Sequence, residues 1–172
     1  AFDHLEQAGK VRHFGVSNQN PMMMELLKTA VKQPLKVNQL QLSAAFTPSF
    51  EAGFHVNMEG PKAAVRDGSV FEYCRLTDTV IQAWSVLQHG YFKGNFVGKE
   101  EFAALNHVLN DLAKKYQVTP TAIALAWVLR YPGKMQAVIG TTKPQHILEA
   151  GKAATVTLTR KEWYQIYLAA GN

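Results

Sequence analysis

Apolar positions along the chain switch between the spacing of an amphipathic helix and that of a half-buried strand, and the switches lay out an order of elements. Phe2, Leu5 and Ala8 form a helical face that Gly9 ends. Val11 to Val16 follows as a strand, with Ser17 and Asn18 at its C-terminal tip. Asn20 caps the next helix and Pro21 starts it; Met22, Met23, Leu26, Leu27 and Ala30 give it a broad apolar side before Gln33-Pro34 closes it. The methionine trio there reads as core filler. Lys36 to Ser43 is a second strand, with Gln39 and Gln41 on one face and Leu40 and Leu42 on the other.

From Ala44 to Gly68 no period is sustained, although Phe46, Phe50, Phe54, His55 and Met58 recur. A connection of this length inside a compact domain is often a lid or binding loop, and His55 within it reads as polar surface. Ser69 with Glu72 makes a capping box for a short helix to Asp78, and Thr79 to Trp84 is a third strand. Ser85 to Gly98 reads as a loop. Phe102, Leu105, Leu109, Leu112, Ala113 and Tyr116 define a long amphipathic helix, and Thr119-Pro120 caps another that runs through Arg130 to a stop at Tyr131-Pro132-Gly133. Met135 to Ile139 is a fourth strand, and Thr159 with Glu162 caps a terminal helix carrying Trp163, Ile166 and Tyr167.

Strands that alternate with helices in this way imply a parallel sheet, either open and doubly wound or part of a barrel. Gly90, Gly94 and Gly98 do not fall in the spacing of a dinucleotide fingerprint, which weakens the doubly wound option. Polar candidates decide further. Ser17-Asn18, Gln39, Trp84-Ser85 and Thr141-Thr142-Lys143 lie at or near the C-terminal ends of four successive strands, the face that carries active sites in (β/α)8 barrels. Four βα units make half of such a barrel, so the expectation is an α/β C-terminal half of a TIM barrel, with residues 1–172 as a single domain.

The stretch Met135 to Glu149, MQAVIGTTKPQHILE, concentrates the candidate chemistry. After the strand come a turn at Gly140, two threonine hydroxyls, Lys143 and His146, and a helix with Pro144 in its first turn and a Thr142/Gln145 capping box. Hydroxyls, amides and the positive end of a helix dipole suit an anion such as phosphate. A well-capped helix in an ordinary connection is the other reading of the same residues. Gln39 is equally open between lining a site and sitting on a solvated face.

Composition narrows the partners. At 172 residues, 47% hydrophobic and 18% charged, the chain has an ordinary globular composition. Its net charge is +5, but the 18 Lys and Arg are scattered, which points away from nucleic acid and toward an anionic small molecule. The single Cys74 cannot make an internal disulfide and reads as a buried small hydrophobe; no Cys/His spacing resembles a metal site. No stretch has the length of a membrane span and nothing at the N-terminus resembles a signal peptide, so a cytoplasmic location is expected.

GKVRHFGVSN, VNQLQLS, QAWSVLQHG and VIGTTKPQHILEA together resemble the C-terminal half of an aldo-keto reductase, a match across essentially the whole chain. The resemblance implies NADP(H) as cofactor and an aldehyde or ketone as substrate. It assigns Ser17, Asn18 and Gln39 to the nicotinamide carboxamide and Trp84 to stacking on the nicotinamide ring. Ser85, Leu87, Gln88 and Gly90 match the loop over the pyrophosphate, with Val86 in place of the usual proline. Gly140, Thr141, Thr142, Lys143 and His146 match the 2'-phosphate site, and Glu149 the acid that contacts adenine. Gly140 and His146 stand where many members carry lysine or arginine, and Ala150 replaces a common asparagine. The family's catalytic tyrosine, lysine, aspartate and histidine come from the first four strands, so no catalytic residue is assigned here. A fragment or truncated relative is implied, partnered by an N-terminal half or by self-association through exposed barrel edges. A non-catalytic NADP(H)-binding module is the alternative.

Overall fold

The computed structural model describes residues 1–48, 50, 69–90 and 93–171. They form two compact units, one of residues 1–40 and 48–82, the other of residues 41–47 and 83–172. Four strands, β1 (Phe14–Ser17), β2 (Leu35–Gln41), β3 (Val80–Trp84) and β4 (Met135–Ala137), hydrogen-bond in sequential order, the parallel α/β arrangement expected of half a TIM barrel. Phe54, His55 and Met58 lie outside the described residues.

In the first unit β1 runs parallel to β2, pairing Gly15 with Val37 and Ser17 with Gln39. Gly15 is required by the closeness of this pair: a Cβ there would lie 2.6 Å from Val37 Cβ and 2.8 Å from its carbonyl oxygen. Helix α1 (Phe2–Gln7) packs through Phe2, stacked on Phe14 at 4.3 Å, and through Gln33, whose Nε2 donates to Asp3 Oδ1 and Glu6 Oε2. Asn20 caps α2 (Pro21–Lys28) by accepting from the Met23 amide at 2.9 Å, as expected.

Two expectations in this unit are corrected. The apolar side assigned to α2 is turned outward, with Met22 64% and Leu26 72% exposed and Met23 exposed as well; Met24 alone of the trio is fully buried. Its sulfur accepts from Asn38 Nδ2, and Asn38 also bonds both the amide and the carbonyl of Gln19, fixing which face of α2 turns inward. The Ser69/Glu72 box does not form. Ser69 sits at φ +25° before α3 (Val70–Leu76), and its hydroxyl makes no capping bond. Cys74 on α3 is buried as expected, and desolvation pushes its thiol up to about 11 against the opposing hydrogen bond with Asn38.

In the second unit the Leu42 amide donates to Trp84 O and the Val138 amide to Ala83 O, extending the ladders at the C-terminal ends of β2 and β3. Helix α4 (Ala103–Tyr116) follows a 3-10 turn at Glu100–Phe102 and buries Leu105, Leu109, Leu112 and Ala113. Helix α5 (Pro120–Leu129), capped by Thr119, is buried from Ala122 to Val128. Helix α6 (Pro144–Gly151) is solvent-facing over most of its length; a 3-10 turn, Lys152–Thr155, leads toward α7 (Arg160–Ala169). The Thr159/Glu162 capping box forms in full.

The Thr142/Gln145 box is the third correction. Lys143 is the N-cap of α6 and makes no side-chain cap. The Lys143 amide takes Thr141 Oγ1 at 3.2 Å, and Gln145 Nε2 reaches along the helix to Glu149 Oε1 at 2.8 Å. Of the two side chains that would have closed the box, Gln145 is thus engaged along the helix instead.

Candidate functional site

The second unit holds a cavity of about 490 Å³ between the C-terminal ends of β3 and β4 and the first turns of α5 and α6. It is lined by Trp84, Ser85, Leu87, Gln88, Gly140, Thr141, His146 and Glu149, together with Val86, Asn95, Thr121, Leu125, Val138, Ile139 and Ala150. The first eight are residues that the sequence nominates. Thr142 and Lys143 are exposed and Gly90 is buried, and none of the three lines the cavity.

The wall after β3 is a loop, as its sequence suggests, and its described limbs, residues 85–90 and 93–98, are paired as a hairpin by an antiparallel bridge. Ser85 takes φ +52° and its carbonyl accepts from the Gln88 amide at 2.8 Å, so the chain turns here without a proline, and Val86 is buried. Gln88 then bridges Asn95 in antiparallel fashion, with the Phe96 amide on Leu87 O and the His89 amide on Gly94 O. The near limb is tied to the segment after β2, where buried Ser43 donates through Oγ to Gln88 O at 2.5 Å. Gln88 Oε1 is itself buried and has no hydrogen-bond partner among the described residues. Such an atom is costly unless something meets it.

The titratable groups of the lining are one histidine and one acid, among the described residues. His146 is its only basic side chain and Glu149 its only carboxylate, among the described residues. His146 Nδ1 lies 3.5 Å from Thr141 Oγ1, the long end of hydrogen-bond reach. The hydroxyl, the imidazole and the opening turn of α6 thus stand together at one end of the cavity.

The first unit carries the other nominated group. Ser17 and Gln39, with Gly15, Val37 and Gln82, line a shallower cavity of about 450 Å³ on the β1-β2-β3 face. Ser17 Oγ and the Asn18 amide both donate to Gln39 O, at 3.2 and 2.9 Å, and Asn18 turns the chain with φ +54°. Gln39 Nε2 reaches Gln82 Oε1 at 3.4 Å, and both side chains line this cavity. Sequence reasoning did not find Asn95 or Thr121. Both line the second unit's cavity of about 490 Å³, and the turn-forming Gly94-Asn95 pair was the available signal for Asn95.

Comparisons with known proteins fit this geometry. The chain is 33% identical over 171 residues to a 6-dehydroglucose reductase of Agrobacterium fabrum and 31% identical to the oxidoreductase YdhF of Escherichia coli. Each alignment covers 99% of this chain and 50% or 51% of the relative, so the chain spans about half the length of the curated relatives it matches. Among solved structures, an aldo-keto reductase from Klebsiella pneumoniae in complex with NADPH superposes with a TM-score of 0.69 at 20% identity, covering 95% of this chain and 50% of that one. A thermostable aldo-keto reductase bound to epalrestat gives 0.69 at 19% identity, covering 98% and 52%, which shows the shared fold. The model of the aldo/keto reductase family matches residues 1–169, and the chain belongs to that family.

Proposed function

We propose that the protein is an NADP(H)-dependent reductase of aldehydes or ketones, and that this chain supplies its cofactor-binding half. The observation that carries the reading is the second unit's cavity, which gathers eight nominated residues from two separate stretches of sequence. The residues fit the cofactor. Gln88 Oε1 is a buried acceptor that a ribose hydroxyl of the cofactor can meet, and Thr141 and His146 stand where a helix begins, as an anionic group requires. Trp84, half-buried in the lining, presents a flat face for an aromatic ring. In this reading Trp84 stacks on the nicotinamide, and Ser85, Leu87, Gln88 and Gly90 run along the pyrophosphate. Gly140, Thr141, Thr142, Lys143 and His146 attend the 2'-phosphate, and Glu149 attends the adenine. Ser17, Asn18 and Gln39 are assigned to the carboxamide, whose donors and acceptors need partners of both kinds.

Bound NADPH supplies a hydride to the carbonyl carbon, and a proton completes the alcohol. The residues of this chain bind and orient; the acid that gives the proton is not assigned to any of them. The test is titration of the protein with NADPH and NADH, followed by indole fluorescence and calorimetry. Trp84→Tyr is expected to keep binding and Trp84→Ala to weaken it by roughly 10-fold, the range of one aromatic stacking contact. An alanine variant that loses stability but binds NADPH normally would return Trp84 to a purely structural role.

A further inference from the structure

Asn106 stands out because it is a polar residue at a core position. It lies on the inward face of α4 beside Leu105 and Leu109, is 8% exposed, and belongs to a residue type that helix interiors disfavour. A leucine would suit that stripe better. Both ends of its amide are turned instead onto the segment leading into the helix. Nδ2 faces the carbonyl oxygens of Phe96, Lys99 and Phe102 at 2.9, 3.0 and 3.1 Å, and Oδ1 accepts from the Gly98 amide at 2.7 Å.

Those four bonds hold the base of the far limb of the cavity hairpin. Phe96, fully buried, is the shared residue: its carbonyl is held by Asn106 while its amide pairs with Leu87 O, one step from the Gln88–Asn95 bridge. The near limb is held by Ser43 and the far limb by Asn106. A hairpin pinned on both sides keeps Gln88 and Asn95 at the cavity wall before a ligand arrives, so the cost of ordering it is not charged to binding.

We infer that Asn106 is a positioning residue for cofactor binding: it fixes the hairpin that presents Gln88 and Asn95 to the pyrophosphate portion of the dinucleotide. The inference rests on the cofactor reading of this cavity. It separates the two ends of the ligand, because Thr141, His146 and Glu149 come from the β4–α6 segment and α6, on which Asn106 makes none of these bonds.

The experiment compares NADPH with adenosine 2'-monophosphate, a fragment lacking the pyrophosphate, in the full protein. Two variants loosen the same turn from opposite sides. Asn106→Leu removes all four bonds. Gly98→Ala strains a backbone at φ +78° while its added methyl meets nothing within 4 Å. For both, the NADPH dissociation constant is expected to rise about 10-fold, comparable to ordering one or two loop residues on binding, while that of adenosine 2'-monophosphate stays within about 2-fold. Equal weakening of both ligands, or unchanged NADPH binding with a lowered melting temperature, would overturn the inference and leave a merely structural asparagine. Absence of binding of either ligand to the unaltered protein would refute the cofactor reading itself, and the inference with it.

Discussion

Trp127 and Trp163 hold each other by both ends. The indole Nε1–H of Trp127 donates to the carbonyl of Trp163 at 3.0 Å, and that of Trp163 donates to the carbonyl of Trp127 at 3.1 Å, with the rings stacked at 4.8 Å and 9° between planes. Both are buried, so each indole that is lost also leaves a carbonyl without that donor in the core. Trp127→Phe and Trp163→Phe are each expected to cost about 1 to 3 kcal/mol in urea unfolding. The double variant should cost less than the sum, because each single change already breaks the stack that both share. Strict additivity would show that the two bonds act independently.

Glu162 gives the second unit a defined acid limit. It is buried on α7, which pulls its pKa up, but bonds from Lys115 Nζ, the Thr159 amide and hydroxyl, and Tyr116 Oη outweigh burial and hold it at about 2. Its folded pKa therefore lies below the ordinary value of 4.5, so the stability it contributes is present above that value and is lost as the pH falls toward 2. Glu162→Gln should cost about 2 kcal/mol at neutral pH and flatten the loss between those limits. Unfolding midpoints measured down the acid range check the sign. An unchanged slope in the variant would assign the acid sensitivity to other carboxylates.

The terminal helices were legible because their signals are redundant: the Thr159 and Thr119 caps and the Trp163, Ile166, Tyr167 stripe agree with burial, whereas along β2 the alternation fades toward its C-terminal end, where Gln41 and Ser43 are buried with Leu40 and Leu42. Helix α2 was not legible. Apolar residues at positions 21–24, 26 and 27 surround it, so periodicity alone selects no face, and the long-range contact of Asn38 with Met24 makes the choice. The cap of α6 misled because Thr142 and Gln145 have the right spacing, while the helix starts one residue later, at an N-cap of Lys143, and Gln145 pairs with Glu149 instead. Asn106 reads in sequence as a polar gap in an apolar stripe, and its four backbone partners show only in three dimensions. The fourteen nominated cofactor residues divide for a related reason. Sequence order places a residue at a strand tip, but which way its side chain turns depends on the turn that follows.

That difference sharpens the expected cofactor preference. Lys143 and His146 are both exposed, and of the two His146 lines the cavity while Lys143 does not. A charged contact at exposed groups is worth roughly 0.2 to 1 kcal/mol. His146→Ala and Lys143→Ala are therefore each expected to weaken NADPH by no more than about 5-fold, His146→Ala more than Lys143→Ala, with NADH little affected by either. Dissociation constants for both cofactors at one ionic strength decide it. If Lys143→Ala has the larger effect on NADPH, the 2'-phosphate sits outside the cavity, against the lysine.

The 172 residues by themselves are expected to reduce no carbonyl and to associate in solution. The chemical part follows from the resemblance, which places the proton donor and its neighbours on strands with no counterpart among β1 to β4. Without a positioned acid the alkoxide formed by hydride transfer has no proton source, a loss of roughly 10² to 10⁴-fold in rate. The structural part follows from topology. In the order β1-β2-β3-β4 the outer strands Phe14–Ser17 and Met135–Ala137 each have a strand neighbour on one side, whereas every strand of a closed barrel has two. Open strand edges drive pairing with a complementary half or with a second copy. Sizing the purified chain and assaying it with NADPH and a simple aldehyde, alone and with a segment carrying the family's first four strands, separates the cases. Activity should appear only with the added segment, and the chain alone should elute as a dimer or larger. A monomer that turns over aldehyde unaided would show that the reacting groups lie within these residues after all, and the search for the acid would begin with the residues around the second unit's cavity.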